Sequence, residues 1–164
     1  MNILKVNGKR NLFLLFLLVF LIEIGGSISG FISNSSSSQY INFNKPSFAL
    51  PSFVFPVVWT ILYLLMAIAL YRIILWGSRG KNIDKAIVYF MIQLALNYLW
   101  SIIFFRFGFY GIAFLEVLIM LFFIIGTTIE FCKIDKKAAA LMVPYILWVS
   151  FAAVLNYFIW MLNK

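Results

Sequence analysis

Two sets of side chains in this sequence could do chemistry, and both lie in the middle of long apolar runs. The first is Gln93, Asn97, Trp100, Ser101 and Phe104, whose offsets of 4, 7, 8 and 11 from Gln93 fall on one face of a helix. The second is Trp148, Ala152, Leu155 and Asn156, at offsets of 4, 7 and 8 from Trp148, again one face. Each set joins an indole to a carboxamide. An indole offers a flat face for stacking and one N–H donor, while a carboxamide both donates and accepts. Together they could hold a flat, mostly apolar molecule and orient it through a few polar contacts. The same side chains could instead hydrogen-bond one helix to another, at about 1 kcal/mol or less per bond. Trp59 and Tyr63, one turn apart, add a third aromatic group. Trp76 and Trp160 lie near the ends of their runs and read as interfacial anchors.

Other chemistries are excluded by what the chain lacks. There is one cysteine, Cys132, and no histidine, so an internal disulfide, a Cys/His zinc or haem site and a His-based catalytic triad are all unavailable. Cys132, beside Lys133, reads as a packing thiol, and no metal site is expected. No phosphate-binding glycine loop or nucleophile elbow is present. Glu23 and Glu116 are carboxyls inside apolar runs. They read as inward-facing hydrogen-bonding groups or as parts of a proton or cation path. No basic residue lies at matching depth and no chain of carboxylates is visible, which weakens the case for a secondary transporter.

The elements that must position these residues are five membrane spans. The 164 residues are 65% hydrophobic, with a mean hydropathy of +1.04. A span needs roughly 20 apolar residues to cross a hydrocarbon core about 30 Å thick. Such runs are read at about 11–32, 53–76, 86–105, 108–130 and 138–162. The fold class is therefore an all-α, five-helix transmembrane bundle forming a single membrane domain over 1–164, since lipid leaves no other partner for backbone polar groups. Gly26 and Gly30 in the first span permit close helix approach, within the chain or between copies. The first connection, 33–52, begins Ser-rich and ends with Pro46, Pro51 and then Pro56 interleaved with Phe48, Phe53 and Phe55. Such backbone resists regular helix and suits a lid over something apolar.

The net charge of +8 is not a nucleic-acid footprint, because it is scattered along span ends rather than clustered. In a five-span arrangement Lys5, Lys9, Arg10, Arg72, Arg79, Lys81, Lys85, Lys133, Lys136 and Lys137 fall on one side. Lys45, Arg106 and Lys164 fall on the other. The positive-inside rule then predicts a cytoplasmic N-terminus, with the longer first connection outside. The basic start, the run Leu12 to Ile22 and the small residues Gly25, Gly26, Ser27 and Ser29 resemble a signal peptide. Continuation of the apolar pattern through Ile28, Phe31 and Ile32 predicts a retained span instead. The lack of a mitochondrial-style presequence fits a prokaryotic plasma membrane.

At this point a resemblance is legible. The run Asn44-Lys45-Pro46-Ser47-Phe48, Pro51, Val54-Phe55 and Val58-Trp59-Thr60-Ile61-Leu62-Tyr63, with Met66-Ala67-Ile68-Ala69, is similar to the tryptophan-rich sensory protein/translocator protein family (TspO/MBR). Later blocks agree in order and spacing: Gln93-Leu94-Ala95-Leu96-Asn97, Trp100-Ser101, Phe104-Phe105, Pro144-Tyr145, Leu147-Trp148, Phe151-Ala152 and Leu155-Asn156. The match covers about Tyr40 to Tyr157. It implies a five-helix bundle, often a homodimer, with a pocket opening toward the first connection. The family's ligands are porphyrins and other tetrapyrroles, with synthetic isoquinoline and benzodiazepine-type compounds. The implied function is a porphyrin-binding or sensing membrane protein that needs no cofactor. The alternatives are light-dependent porphyrin degradation, attributed to pocket tryptophans (here Trp59 and Trp148), and tetrapyrrole transport. Carried over by motif, Trp59 and Trp148 would face the ligand, with Asn97 as the pocket amide. Trp100, Ala152 and Leu155 would complete the walls, and Tyr40 and Pro46 would belong to the lid.

The chain also departs from the family pattern. Family members usually carry tryptophan where Gln39, Phe48 and Phe53 stand, and Gly-Pro where Pro56-Val57 stands. The sterol motif is absent too: after Leu155 and Tyr157 the next basic residue is Lys164, outside the permitted spacer.

Overall fold

The computed structural model describes residues 3–6, 8, 10–33, 40 and 42–164. The Ser-rich stretch 34–39, with Gln39, lies outside the described residues. Among the described residues, five helices are long and apolar enough to cross a membrane. They are α1 (Leu12–Ser33), α2 (Val54–Gly77), α3 (Asp84–Ser101, running on through a π-helical turn, Ile102–Arg106), α4 (Tyr110–Ile134) and α5 (Lys136–Leu162). The protein is a five-helix membrane bundle. Residue types fix this outcome, because long apolar segments in lipid satisfy their backbone only as helices.

The helices meet along an interior that includes the fully buried Met66, Tyr71, Phe90, Phe131, Met142 and Tyr145. Their outer faces carry exposed Phe13, Phe16, Phe31, Phe122 and Leu147, as a lipid-facing surface requires. Two tight reversals depend on glycine. Gly80 (φ +84°) turns the chain between α2 and α3, and Gly108 (φ +65°) turns it between α3 and α4. Both lie in the left-handed region that a Cβ disfavours. The fourth helix extends past the expected boundary near residue 130. Glu130 is neutralised there by ion pairs with Lys133 (2.8 Å) and Lys85 (3.0 Å).

One end of the bundle is tied by a polar knot. The Arg72 guanidinium, 3% exposed, pairs with the Asp135 carboxylate at 2.6 Å. Asp135 also accepts from the Trp76 indole (3.1 Å) and caps α5 by accepting the Lys137 backbone N–H at 2.9 Å. The N-terminal segment folds across this end. Arg72 donates to the carbonyl of Ile3, Tyr71 to that of Leu4 (3.1 Å), and Arg79 to that of Val6 (3.0 Å). Burial alone would raise the Asp135 pKa, but the Lys137 N–H, the Trp76 indole and the Arg72 charge outweigh it and hold the carboxyl below its ordinary 3.8.

Candidate ligand-binding cavity

The opposite half of the bundle is hollow. A cavity of about 290 Å³ lies among α1, α2, α3 and α5, closed on one side by Tyr40 of the first connection. Trp59 of α2, Asn97 and Trp100 of α3, and Ala152 and Leu155 of α5 all line it. The two stripes read from the sequence therefore converge on one space.

Their polar atoms are largely spent on each other. Tyr63 donates its hydroxyl to Asn97 Oδ1 (2.7 Å), and Asn97 Nδ2 donates to the Tyr145 hydroxyl (2.7 Å). Trp100 Nε1 donates to Asn156 Oδ1 at 3.1 Å, and Asn156 Nδ2 donates to the carbonyl of Tyr110 at 2.9 Å. These bonds fix the rotamers of Asn97 and Trp100. They make the amide and that indole parts of a rigid wall rather than free recognition groups. Trp59 differs: its ring packs on Tyr63 at 5.5 Å and on Tyr145 at 6.2 Å. Among the described residues its indole N–H donates no hydrogen bond to protein, so it remains open to the cavity.

Local backbone explains why consecutive residues of α3 reach this space. After Ser101 the helix widens into the π-turn, with Phe107 N–H donating to Ile102 C=O at 3.2 Å. The wider turn brings both Phe104 and Phe105 onto the cavity wall. On α1, Gly26 makes room for Tyr63: a Cβ there would stand 2.2 Å from that ring. The small-residue spacing on α1 thus seats an aromatic ring within the chain.

Two expected ligand-binding residues, Trp148 and Pro46, lie off the wall. Trp148 does not line the cavity. Its ring meets Phe55 edge-on at 5.7 Å, and Phe55 is itself a wall residue, so Trp148 sits one ring behind the surface. Its indole N–H is buried without a partner. Pro46 is also off the wall; its carbonyl accepts from Ala49 N–H at 3.0 Å and shapes the lid. Gln93, the first member of the α3 stripe, is fully buried with neither amide atom bonded, and it does not line the cavity. Neither does Glu116, whose carboxyl oxygens have no hydrogen-bond partner. Helical periodicity sets which face a residue occupies, but not whether a neighbouring ring covers it.

Sequence reasoning missed most of the α1 wall. Glu23, Ser27, Ser29 and Gly30 line the cavity with Thr60 of α2 and Ile159 of α5. A carboxyl in mid-span was the available signal for that side.

The lid is held by named contacts. Phe43 packs edge-on against Phe104 (5.8 Å) and Tyr110 (5.5 Å), and Phe48 against Phe158 (5.3 Å). Asn44 N–H donates to Asn163 Oδ1 (3.0 Å), and Asn163 Nδ2 donates back to Asn44 C=O (2.9 Å). This reciprocal pair fastens the connection to the end of α5. Tyr40 meets Phe55 at 4.9 Å, and its hydroxyl is buried without a partner among the described residues.

An apolar cavity inside a five-helix membrane bundle, roofed by a clamped aromatic connection, defines a membrane protein built around an internal chamber. The model of the TspO/MBR family matches residues 16–161, and the chain belongs to that family. It is 36% identical to the Tryptophan-rich protein TspO of Chlorobaculum tepidum over 87% of this chain and 90% of that protein. Identity to the Tryptophan-rich sensory protein of Cereibacter sphaeroides is 36%, over 72% of each chain. The Translocator protein of Homo sapiens is 33% identical over 80% of this chain and 79% of its own length.

Proposed function

We propose that the cavity binds planar tetrapyrroles of the porphyrin class, and that the protein is a membrane binding protein or sensor for them. Isoquinoline and benzodiazepine-type aromatics are smaller ligands of the same site. The observation that carries this reading is Trp59, an indole on the wall whose ring and N–H both remain available beside the rigid Trp100 and Asn97. The relatives named as sensory and translocator proteins fit a ligand-responsive role. Small-molecule sites span about 300–1,000 Å³, and 290 Å³ lies at the bottom of that range. A two- or three-ring aromatic fits the closed cavity, whereas a macrocycle enters by displacing Tyr40 and Phe55. The protein works in the plasma membrane of a prokaryote with its N-terminus in the cytoplasm, as the distribution of basic residues supports, and as a homodimer, as the family resemblance implies.

Titrating protoporphyrin into detergent-solubilised protein in the dark should give a saturable Soret shift with tryptophan quenching. Trp59→Phe should weaken binding about tenfold, as loss of the indole N–H donor and of part of the stacking area predicts. Trp148→Phe should change it by less than about twofold, because that indole is one ring removed. Unsaturable binding, or affinity indifferent to Trp59, would overturn the reading. A second reading, light-dependent porphyrin degradation with dioxygen as oxidant, is favoured by the same exposed indole. Under illumination, wild type should then bleach porphyrin faster than Trp59→Phe, and equal rates would dismiss it.

A further inference from the structure

The cavity has a polar edge that porphyrin stacking does not use. Glu23, Ser27 and Thr60 line it where α1 faces α2. Among the described residues, Glu23 is the only charged one on the wall, and no lysine or arginine lines the space. The two phenols nearest this part of α1 are committed elsewhere. Tyr63, packed on Gly26, donates to Asn97 at 2.7 Å, and Tyr98, packed on Gly25, donates to the carbonyl of Ile22 at 2.8 Å. Glu23 therefore has no hydrogen-bond donor or cation among the described residues.

The hydroxyls at this edge are unusual as well. Thr127, Thr128 and Ser150 each return their hydroxyl to the carbonyl four residues back, at 2.8 Å, as helical Ser and Thr commonly do. Ser27 and Thr60 make no such bond, and both are exposed at the cavity rim. A carboxyl inside a bilayer without a countercharge is costly, and it favours whatever brings one. The polar groups on the other walls are neutral amides, hydroxyls and indoles, so among the described residues no cationic side chain there would balance an anion.

We propose that this site selects its ligand by charge: it takes planar aromatic molecules bearing a protonated nitrogen, which is held against the Glu23 carboxylate while the ring system lies along Trp59. Ser27 and Thr60 accept the remaining N–H groups. Anionic substituents, including the carboxylates of a porphyrin, stay outside the cavity on the lid side. This selectivity rests on the cavity being the binding site argued above.

Three aromatics of one shape and different charge test it: 9-aminoacridine (cationic), acridine (neutral) and acridine-9-carboxylate (anionic). Each is titrated by fluorescence into the full chain in a neutral detergent, alongside protoporphyrin. Wild type should bind the cation at least about tenfold more tightly than the neutral ring, the scale of one charge-assisted hydrogen bond. The anion should bind weakest. Glu23→Gln should erase the preference for the cation, bringing the ratio of 9-aminoacridine to acridine affinity to about one. A wild-type ranking without preference for the cation overturns the inference even if the variant fails to fold. An unchanged cation-to-neutral ratio in a folded Glu23→Gln protein overturns it too. If acridine and protoporphyrin both fail to bind wild type, the cavity reading falls with it; if they bind but charge is ignored, only the role of Glu23 falls.

Discussion

The two ends of this bundle handle buried polar groups in opposite ways. At the Arg72 end, guanidinium, carboxylate, indole and backbone are drawn into one network, with Asp135 receiving Arg72, Trp76 and Lys137 at once, and of the guanidinium only Nε is left without a bond among the described residues. At the cavity end the indole of Trp148 and the hydroxyl of Tyr40 are buried without partners among the described residues, and Glu23 lines an open space. Paired charges in a low-dielectric interior resist separation, so the first end is a rigid anchor. Polar groups left open on the cavity wall, such as the Tyr40 hydroxyl and the Glu23 carboxyl, cost stability that a bound ligand could restore, so on the proposed reading the second end is the part able to respond. If the cavity is the ligand site proposed here, stability and binding are separated along the bundle axis.

Breaking the anchor should have the largest effect. Asp135→Ala leaves the Arg72 charge buried alone, a loss of about 3–5 kcal/mol, read as a sharply lower melting temperature in detergent. Porphyrin affinity of the protein that remains folded should be close to wild type. The same carboxylate sets an acid limit. Its folded pKa lies below its ordinary 3.8, so its contribution is complete above that value and is lost as pH falls through the depressed folded pKa. Wild type should therefore lose melting temperature below about pH 4, and Asp135→Asn should show a smaller loss over the same interval. A binding defect as large as the stability defect in Asp135→Ala would show that the two ends are coupled.

Gly26→Ala perturbs the boundary between the regions. Its Cβ would stand 2.2 Å from the Tyr63 ring, so the ring must shift and its bond to Asn97 must loosen. Overpacking of this kind costs about 1–3 kcal/mol, and here porphyrin affinity should fall along with melting temperature. Loss of stability with affinity intact would mean that the Tyr63–Asn97 bond does not shape the wall. The smallest effect belongs to the lid. Asn163→Ala removes both halves of the reciprocal bond to Asn44, at about 1 kcal/mol. Faster porphyrin association, with melting temperature nearly unchanged, should be seen by stopped flow. An unaltered association rate would mean that the connection does not gate the cavity.

Individual residues show what could be read in advance. Asn97, Trp100, Ala152 and Leu155 share a wall because a helix repeats its faces with a fixed period, and that period is written in the spacing. Gln93 and Trp148 obey the same period and still miss the cavity, one being buried below it and the other covered by Phe55. The α1 wall was legible only as a mid-span carboxyl, since Ser27 and Ser29 look like ordinary small residues until α2 is placed beside them. The Arg72–Asp135 pair joins residues far apart in sequence at two different connections, and no local pattern links them.

By itself the sequence determined the five spans, the family and the two helical faces that carry indole and amide. Those follow from hydropathy and period, which are properties of each segment alone. Tertiary structure decided which of those side chains reach the void, which neighbour consumes each donor, and that one carboxyl on the first helix is left facing it. Such outcomes depend on how rings from different helices fill shared volume, and close packing is settled only when all the helices are in place.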